Sequence, residues 1–394
     1  MMKKLRFVLL FLFTWVLWLL VSQYLLCARF QFEEPMPFEG SVIYNPYDSI
    51  DAQKWLKCNF HAHAQAWNGI TNGHGTAGEI HKAYKDLDYQ IHCVSNYHHI
   101  DTTHAHRQNY IPAYEHGYNL RKTHQLVLGS QDVQWLDYLF PQTLHNKQHV
   151  IQQLGDTNSV IILNHPGLRN GYKASDFSSL AGYDCMEVLN PSVISTREWD
   201  AALSAGKKTF IVGNDDIHNV IKRERLGTMC TYVNVKDENK QRVLGALRTG
   251  KSYGVVLGQK QAIDSIPTLV ALRVNTDTIT IKMSARAWKI SMTGQNGKEL
   301  AAFNDTNLIK YKLTPKDHYA RATFQYRNGT TVYLNPVFYT PHSGYKETLV
   351  YENIGETTFF RTLGVIILFL WLLVLWSFFV RRPRIYDRRR LSLR

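Results

Sequence analysis

Histidines and carboxylates recur in this chain at spacings that could hold a cation. His61-Ala62-His63 sets two imidazoles at i, i+2. Alternate residues of an extended segment point the same way, so both rings can reach one ion. Asp216 and His218 repeat that spacing within Gly213-Asn214-Asp215-Asp216-Ile217-His218. Further donors come from His165-Pro166-Gly167, Glu187, Asn96-Tyr97-His98-His99 and Gly129-Ser130-Gln131-Asp132. Each element alone is a weak signal, since an H-x-H arises by chance and an Asp-x-His is commonly a turn or helix cap. Their joint placement at the ends of successive apolar runs is the stronger signal. The metal-ligand candidates are therefore His61, His63, His165, Asp216 and His218, with His98 and Asp132 as further donors. Glu187 and Asp216 are the catalytic candidates, Glu187 as ligand, ligand-orienting group or base. Nitrogen and carboxylate donors suit Zn, Mn or Fe(II), with the number of ions open. Thirteen of the 17 histidines lie between His61 and His149, and most of these are expected on surfaces or helices.

The elements that must position these groups alternate along the chain. Strand candidates are Trp55–Phe60, Gln90–Ser95, Gln125–Leu128, Val160–Asn164, Asp184–Leu189, Thr209–Gly213 and Met229–Val235. Helix-compatible segments between them are Ala77–Leu87, Tyr110–Lys122, Lys147–Leu154, Thr196–Ala205 and Glu238–Thr249. Such βα alternation predicts an α/β domain over 55–258 with a parallel sheet or barrel, and reactive groups then gather at the C-terminal ends of its strands. From about Asp264 the runs shorten and alternate: Leu269–Val274, Thr278–Ser284, Trp288–Thr293, Leu308–Leu313, Tyr319–Tyr326 and Thr331–Phe338. These predict a small all-β, sandwich-like domain over 264–345. Residues 29–54 read as a connector. The cysteines have no paired spacing and read as small buried hydrophobes.

The 394 residues carry a formal charge of +13, 45% hydrophobic residues and 12% aromatics. That composition supports more than one core and excludes a disordered chain. The charge gathers at the ends. Phe7–Cys27 is an uncharged apolar run preceded by Lys3, Lys4 and Arg6. Thr362–Val380 is a second apolar run followed by RRPRIYDRRRLSLR, a +6 tail that leaves the residues between the two ends only about +4. Both runs reach the ~20 residues that a bilayer demands. An N-terminal anchor over 1–28, exceeding a signal peptide's h-region, and a transmembrane helix over 360–380 with a basic tail at 381–394 are expected. By the positive-inside tendency both ends are cytoplasmic and the intervening domain is extracytoplasmic, as in a bacterial inner-membrane protein with a periplasmic domain. No nucleic-acid motif is present in that domain. The lipid bilayer is the expected partner, and the oligomeric state is open.

The residues over about 55–258 resemble the polymerase and histidinol phosphatase (PHP) superfamily. The resemblance rests on His61-Ala62-His63, Asn68-Gly69, a helix containing Glu79, Ser95-Asn96-Tyr97, His165-Pro166, Glu187 with Asn190, and the loop from Gly213 to His218. It implies a distorted (β/α)7 barrel, two or three metal ions and phosphate-ester hydrolysis. The segment Tyr333-Leu334-Asn335-Pro336-Val337 resembles sandwich modules that follow such barrels. The chain departs from the family pattern at Asn68 and Asn96, which replace acids, at Tyr97, which stands for a histidine, and at Gly129-Ser130-Gln131, where an acid is expected. These changes imply fewer ions, or replacement ligands such as His74, His98 or Asp132.

The reading is a membrane-anchored, metal-dependent phosphoesterase whose substrate is a phosphorylated small molecule or a phosphodiester. Arg169, Lys222 and Arg223 are its candidate phosphate-binding cations. The alternative is a catalytically silent ectodomain acting as a binding or structural module. Reporter fusions at Asp264 and Arg394 should report opposite sides of the membrane; the same side for both would mean that one apolar run does not span.

Overall fold

The computed structural model describes residues 2–258 and 266–380. The basic tail 381–394 and the joint at 264, where the second domain was expected to begin, lie outside them. Two compact units are present, Gln31–Tyr351 and a second formed by Met1–Phe30 with Glu352–Arg394. The elements up to the middle of the chain are α1 (Met2–Tyr24), β1 (Phe30–Phe32), β2 (Val42–Tyr44), β3 (Trp55–Asn59), α2 (Ala77–Lys85), β4 (Ile91–His92), β5 (Ala113–His116), β6 (Gln125–Leu128), α3 (Leu144–Gly155), β7 (Val160–Leu163), β8 (Cys185–Asn190) and β9 (Val193–Ile194). There follow α4 (Thr196–Ser204), β10 (Phe210–Gly213), β11 (Met229–Asn234), α5 (Lys240–Thr249), β12 (Ser252–Val256), β13 (Leu269–Asn275), β14 (Thr278–Thr293), β15 (Glu299–Lys312), β16 (Tyr319–Gln325), β17 (Thr331–Leu334), β18 (Val337–Thr340), β19 (Val350–Glu352) and α6 (Ile354–Val380).

Gln31–Tyr351 is a mixed α/β unit built on two sheets. One runs β10-β8-β7-β6-β5 with β9 beside β8. Its β10, β8 and β7 are parallel, and β6 and β5 are antiparallel. The apolar runs VIIL, CMEVLN and FIVG of the parallel strands are buried at every residue, the pattern of strands covered on both faces. The other sheet runs β13-β14-β16-β17-β12-β11-β3-β4, with β15 on β14, and β18 joining β16 to β2. The two sheets pack on each other, β10 and β8 against β11 and β12. Tyr97 bridges to Glu115, and the Thr231 hydroxyl accepts from Gly213 N and donates to Gly213 O, both at 2.9 Å. Among the described residues the strand ladders do not close into a ring.

Local chemistry accounts for the helices. Thr76 and Glu79 form a reciprocal cap on α2, whose Ile80, Ala83 and Tyr84 are buried. Asn239 caps α5, which ends on Gly250 at φ 73°, a left-handed position that favours glycine. Tyr110–Lys122, read as helical, instead holds β5. All four residues of β5 are buried and pair with β6 from Ala113↔Leu128 to His116↔Gln125. Pro112 and Gly117 bound this short strand, and tertiary pairing overrides the helix-compatible composition.

The strands after 269 continue the sheet of the βα region. β17 pairs with β12 through Leu334↔Tyr253 to Thr331↔Val256. Thr331–Phe338, read as one strand, divides at Asn335-Pro336. The buried Asn335 amide donates to Gly250 O and Ser252 O, and its oxygen accepts from Ile211 N at 2.8 Å. β14 merges two expected strands across a register shift between Lys282 and Ala287. All five cysteines are buried, and burial pushes the Cys93 and Cys230 thiols up to about 12.

In the other unit, Lys4–Tyr24 and Ile354–Phe378 are long and apolar enough to cross a membrane, with mean hydropathies of 2.2 and 2.3. Trp371 Nε1 donates to Thr14 Oγ1 at 3.1 Å, and Asn353 N donates to Arg29 O at 2.8 Å.

A buried ion pair ties α4 to β16. Arg321 Nε and Nη2 donate to Asp200 Oδ1 and Oδ2, both at 2.7 Å. Arg321→Ala leaves the Asp200 charge buried with, among the described residues, only the Tyr319 hydroxyl donating to it at 3.3 Å and should cost about 3–5 kcal/mol in denaturant unfolding. Arg321→Ala combined with Asp200→Ala should cost less than the two single losses added.

Candidate metal centre

Four loops and two strands bring the donors together. His61 and His63 follow β3, Glu115 lies within β5, His124 precedes β6, His165 follows β7, Glu187 lies within β8, and Asp216 and His218 follow β10. His165 at φ 28° and Asp216 at φ 46° occupy left-handed backbone, costly for residues with a Cβ and a mark of positions held for function. The neighbouring Asp215 turns the other way. Its oxygens accept from Gly227 N, Thr228 N and Met229 N at 2.7–2.9 Å. Burial pushes its carboxyl up to about 6 against those bonds.

Two groups of donors result, His61 with His63 and Asp216, and Glu115 with His124 and His165. In the first, His61 Nε2 and His63 Nε2 stand 3.0 Å apart. Asp216 Oδ1 lies 3.3 Å from His61 Nε2, 3.5 Å from His63 Nε2 and 3.2 Å from His218 Nε2. In the second, Glu115 Oε1 lies 2.8 Å from His124 Nδ1 and 3.3 Å from His165 Nε2. Glu115 joins the groups, because its Oε2 is 3.2 Å from His61 Nε2 and 3.0 Å from His63 Nε2.

These residues fit divalent ions. Donors at about 2.0–2.2 Å from a metal lie roughly 3.0–3.5 Å from one another in octahedral or tetrahedral arrangements, and all the donor pairs above have that spacing except Glu115 Oε1 and His124 Nδ1, which are closer at 2.8 Å. Glu115 Oε2 and Asp216 Oδ1 are buried and receive no well-formed hydrogen bond, a costly state for carboxylates that a cation relieves. The identity of the metal is not fixed by this donor set.

Hydrogen bonds orient the donors. Glu187 Oε1 accepts from His61 Nδ1 at 2.8 Å and from Asn214 Nδ2 at 3.0 Å. Glu187 Oε2 accepts from His165 N at 3.1 Å and Asn190 Nδ2 at 3.0 Å. Both Glu187 oxygens are engaged, so this acid fixes the tautomer that points His61 Nε2 into the centre. Burial works against a charged His61, yet the Asp216, Glu187 and Glu115 carboxylates outweigh it and hold its pKa well above the ordinary value. His63 and His165 are raised by the same balance. Burial wins at His124, which falls to about 4, and at His218, which is lowered.

The other expected residues lie elsewhere. His98 is buried, but its Nδ1 bonds Gln134 O and its Nε2 accepts from Gly117 N, both at 3.0 Å. With both ring nitrogens committed to the backbone, His98 is a structural hydrogen-bonder. Asp132 and the side chain of His74 are exposed and belong to neither group. Arg169, Lys222 and Arg223 are exposed loop cations. Of the residues departing from the family pattern, Asn68 and Gln131 are exposed, and Asn96 Oδ1 accepts from Ala64 N at 2.8 Å, holding the H-x-H turn. The Tyr97 ring stacks on His63 at 4.5 Å, and Lys122 Nζ lies 5.7 Å from the Tyr97 ring.

Glu115 and His124 escaped the sequence reading. Their signal was the short apolar run Ala113-Tyr114 between Pro112 and Gly117, with an acid inside it and a histidine nine residues on.

No family model and no curated protein matches the chain. Among solved structures it is similar to a two-domain protein from Bacteroides vulgatus ATCC 8482 containing a predicted PHP-like metal-dependent phosphoesterase. The identity is 13%, covering 82% of this chain and 99% of that one, with a TM-score of 0.40. At that distance nothing about residues or chemistry follows from the likeness.

Ion binding must displace protons from the imidazoles whose pKa values are raised, so affinity for Mn or Zn should rise with pH through neutrality. Calorimetry in buffers of differing ionisation enthalpy reads that proton release. At free metal 100 times the dissociation constant, the ion should add about 2.7 kcal/mol to unfolding free energy; chelator should remove it.

Proposed function

We propose that the chain is a membrane-anchored, metal-dependent phosphoesterase whose Gln31–Tyr351 unit works outside the cytoplasm. The observation that carries this reading is Glu115, a single buried carboxylate that offers Oε2 to one donor group and Oε1 to the other. Paired divalent sites sharing a carboxylate suit hydrolysis at phosphorus, where attacking and leaving oxygens must both be stabilised. When bound, such ions polarise the phosphoryl oxygens and lower the pKa of a water.

The chain's own residues supply position and exclusion. Glu187 and Asn214 hold His61 in register, and Asn190 holds Asp216 Oδ2 at 3.1 Å. The aromatic face of Tyr97 covers His63, and burial, reinforced by the Glu115 and Asp216 charges, pushes its hydroxyl up and keeps it protonated. Lys122 is a further cation near this edge, suited to an anionic substrate. In this reading Arg169, Lys222 and Arg223 act at longer range, steering phosphate from the exposed loops.

The silent-ectodomain alternative rested on the amide replacements. Those amides stand outside the two donor groups, and Glu115 supplies the acid that the sequence reading sought after Gln125–Leu128. This supports turnover over a purely structural role. The distorted (β/α)7 arrangement of the PHP superfamily, with a sandwich-like β region that extends its sheet, belongs to the same proposal, as does an inner-membrane location with both ends cytoplasmic. The two apolar helices and the basic residues beside them support that topology.

Purified full-length protein in detergent should hydrolyse an aryl phosphate or phosphodiester when Mn or Zn is supplied. Glu187→Gln should lower kcat/KM about 10–100-fold through His61 orientation. Glu115→Gln and His61→Ala should lower it further. Metal binding without turnover of any ester would favour the binding-module alternative.

A further inference from the structure

Beyond Tyr97 the surface carries indoles that the fold holds in place yet leaves in solvent. Trp67 is 42% exposed and Trp135 is 59% exposed. Trp67 Nε1 donates to Tyr97 O at 2.8 Å. The two indole rings lie 5.8 Å apart at 71°, and His99 stands 5.9 Å from Trp67 at 80°. Trp135 lies flat against His98 at 5.3 Å and 15°, and His98 is itself fixed by two backbone bonds. Trp67 sits at φ 53°, an uncommon position for a bulky residue.

These indoles are continuous with the centre. Trp67 bonds the backbone of Tyr97, and the Tyr97 ring stacks on His63. A phosphate held at the donor groups would present its ester substituent to the surrounding surface, and binding energy from that substituent is what an enzyme spends on catalysis. Two rigid indole faces near a right angle offer one face for stacking and a second wall for an edge contact. We propose that Trp67 and Trp135 form the leaving-group site and that this group carries a flat ring, a nucleobase or an aryl ring. The proposal rests on the phosphoesterase reading above. An acyclic alcohol would leave both indoles in water.

The test compares metal-loaded full-length protein with Trp67→Ala, Trp135→Ala and Trp67→Phe on AMP, p-nitrophenyl phosphate and glycerol 2-phosphate. Each alanine variant should raise the KM ratio of ring ester to glycerol ester about tenfold, the scale of one lost stacking contact, and Trp67→Phe should recover most of it. Equal change for all three esters, or none, overturns the proposal. So does loss of binding to anionic-lipid vesicles with every ester KM unaltered, which would make the indoles a membrane surface. If the parent hydrolyses no ester, the phosphoesterase reading fails by itself. Quenching of indole fluorescence by adenosine, lost in the Trp67→Phe/Trp135→Phe variant, then upholds the ring site; absence of quenching overturns it.

Discussion

The Glu115 carboxylate is 1% exposed and lies among the imidazoles of His61, His63, His124 and His165. A charge in that position costs several kcal/mol unless opposite charge and hydrogen bonds surround it. Burial favours the neutral acid, but the charges of His61 and His124 and the bonds from His124 and His165 hold its pKa well below the usual carboxylate range. Much of the unit can be understood from this demand. β5 and β6 pair antiparallel so that Glu115 and His124 face one another. β7 delivers His165, and the single bridge from Tyr97 to Glu115 ties the second sheet to the same spot. Asp216 repeats the pattern at the same His61 nitrogen, its carboxyl also held well below the ordinary value by His61, His218 and His63 against the effect of burial.

Several of these groups were legible in the sequence because they depend on local geometry. His61 and His63 share a face by strand alternation, and Asp216 and His218 share one by the same spacing. The apolar runs of β6, β7, β8 and β10 announced strands buried on both faces. Glu187 stood out as an acid inside such a run, although its role in holding His61 is visible only from the hydrogen bonds. Glu115 and His124 were not legible for a physical reason. β5 has only four residues, and its pairing partner, not its composition, makes it a strand. His98 misled for the complementary reason: a histidine after a strand end looks like a ligand until its two backbone partners are known. The join between β12 and β17 was hidden as well, since a ladder between residues eighty apart leaves no mark on either run.

The terminal helices answer to a separate constraint. Lys4–Tyr24 and Ile354–Phe378 are long and apolar enough to cross a membrane, and side chains on them such as Phe11 and Trp376 are exposed, a pattern suited to an apolar surrounding. The buried carboxylates of the other unit are met by imidazoles and are suited to cations. In each part, side chains that would be costly in isolation identify the surroundings that the chain is built to meet.

The central claim is that Glu115 is shared by two divalent-ion sites. Diffraction from metal-soaked crystals, recorded on both sides of the Mn or Zn absorption edge, tests it most directly. The account predicts two anomalous peaks flanking Glu115, one beside His61, His63 and Asp216 and the other beside His124 and His165. A map with no peak at Glu115, or with ions bound only at surface histidines, would contradict it.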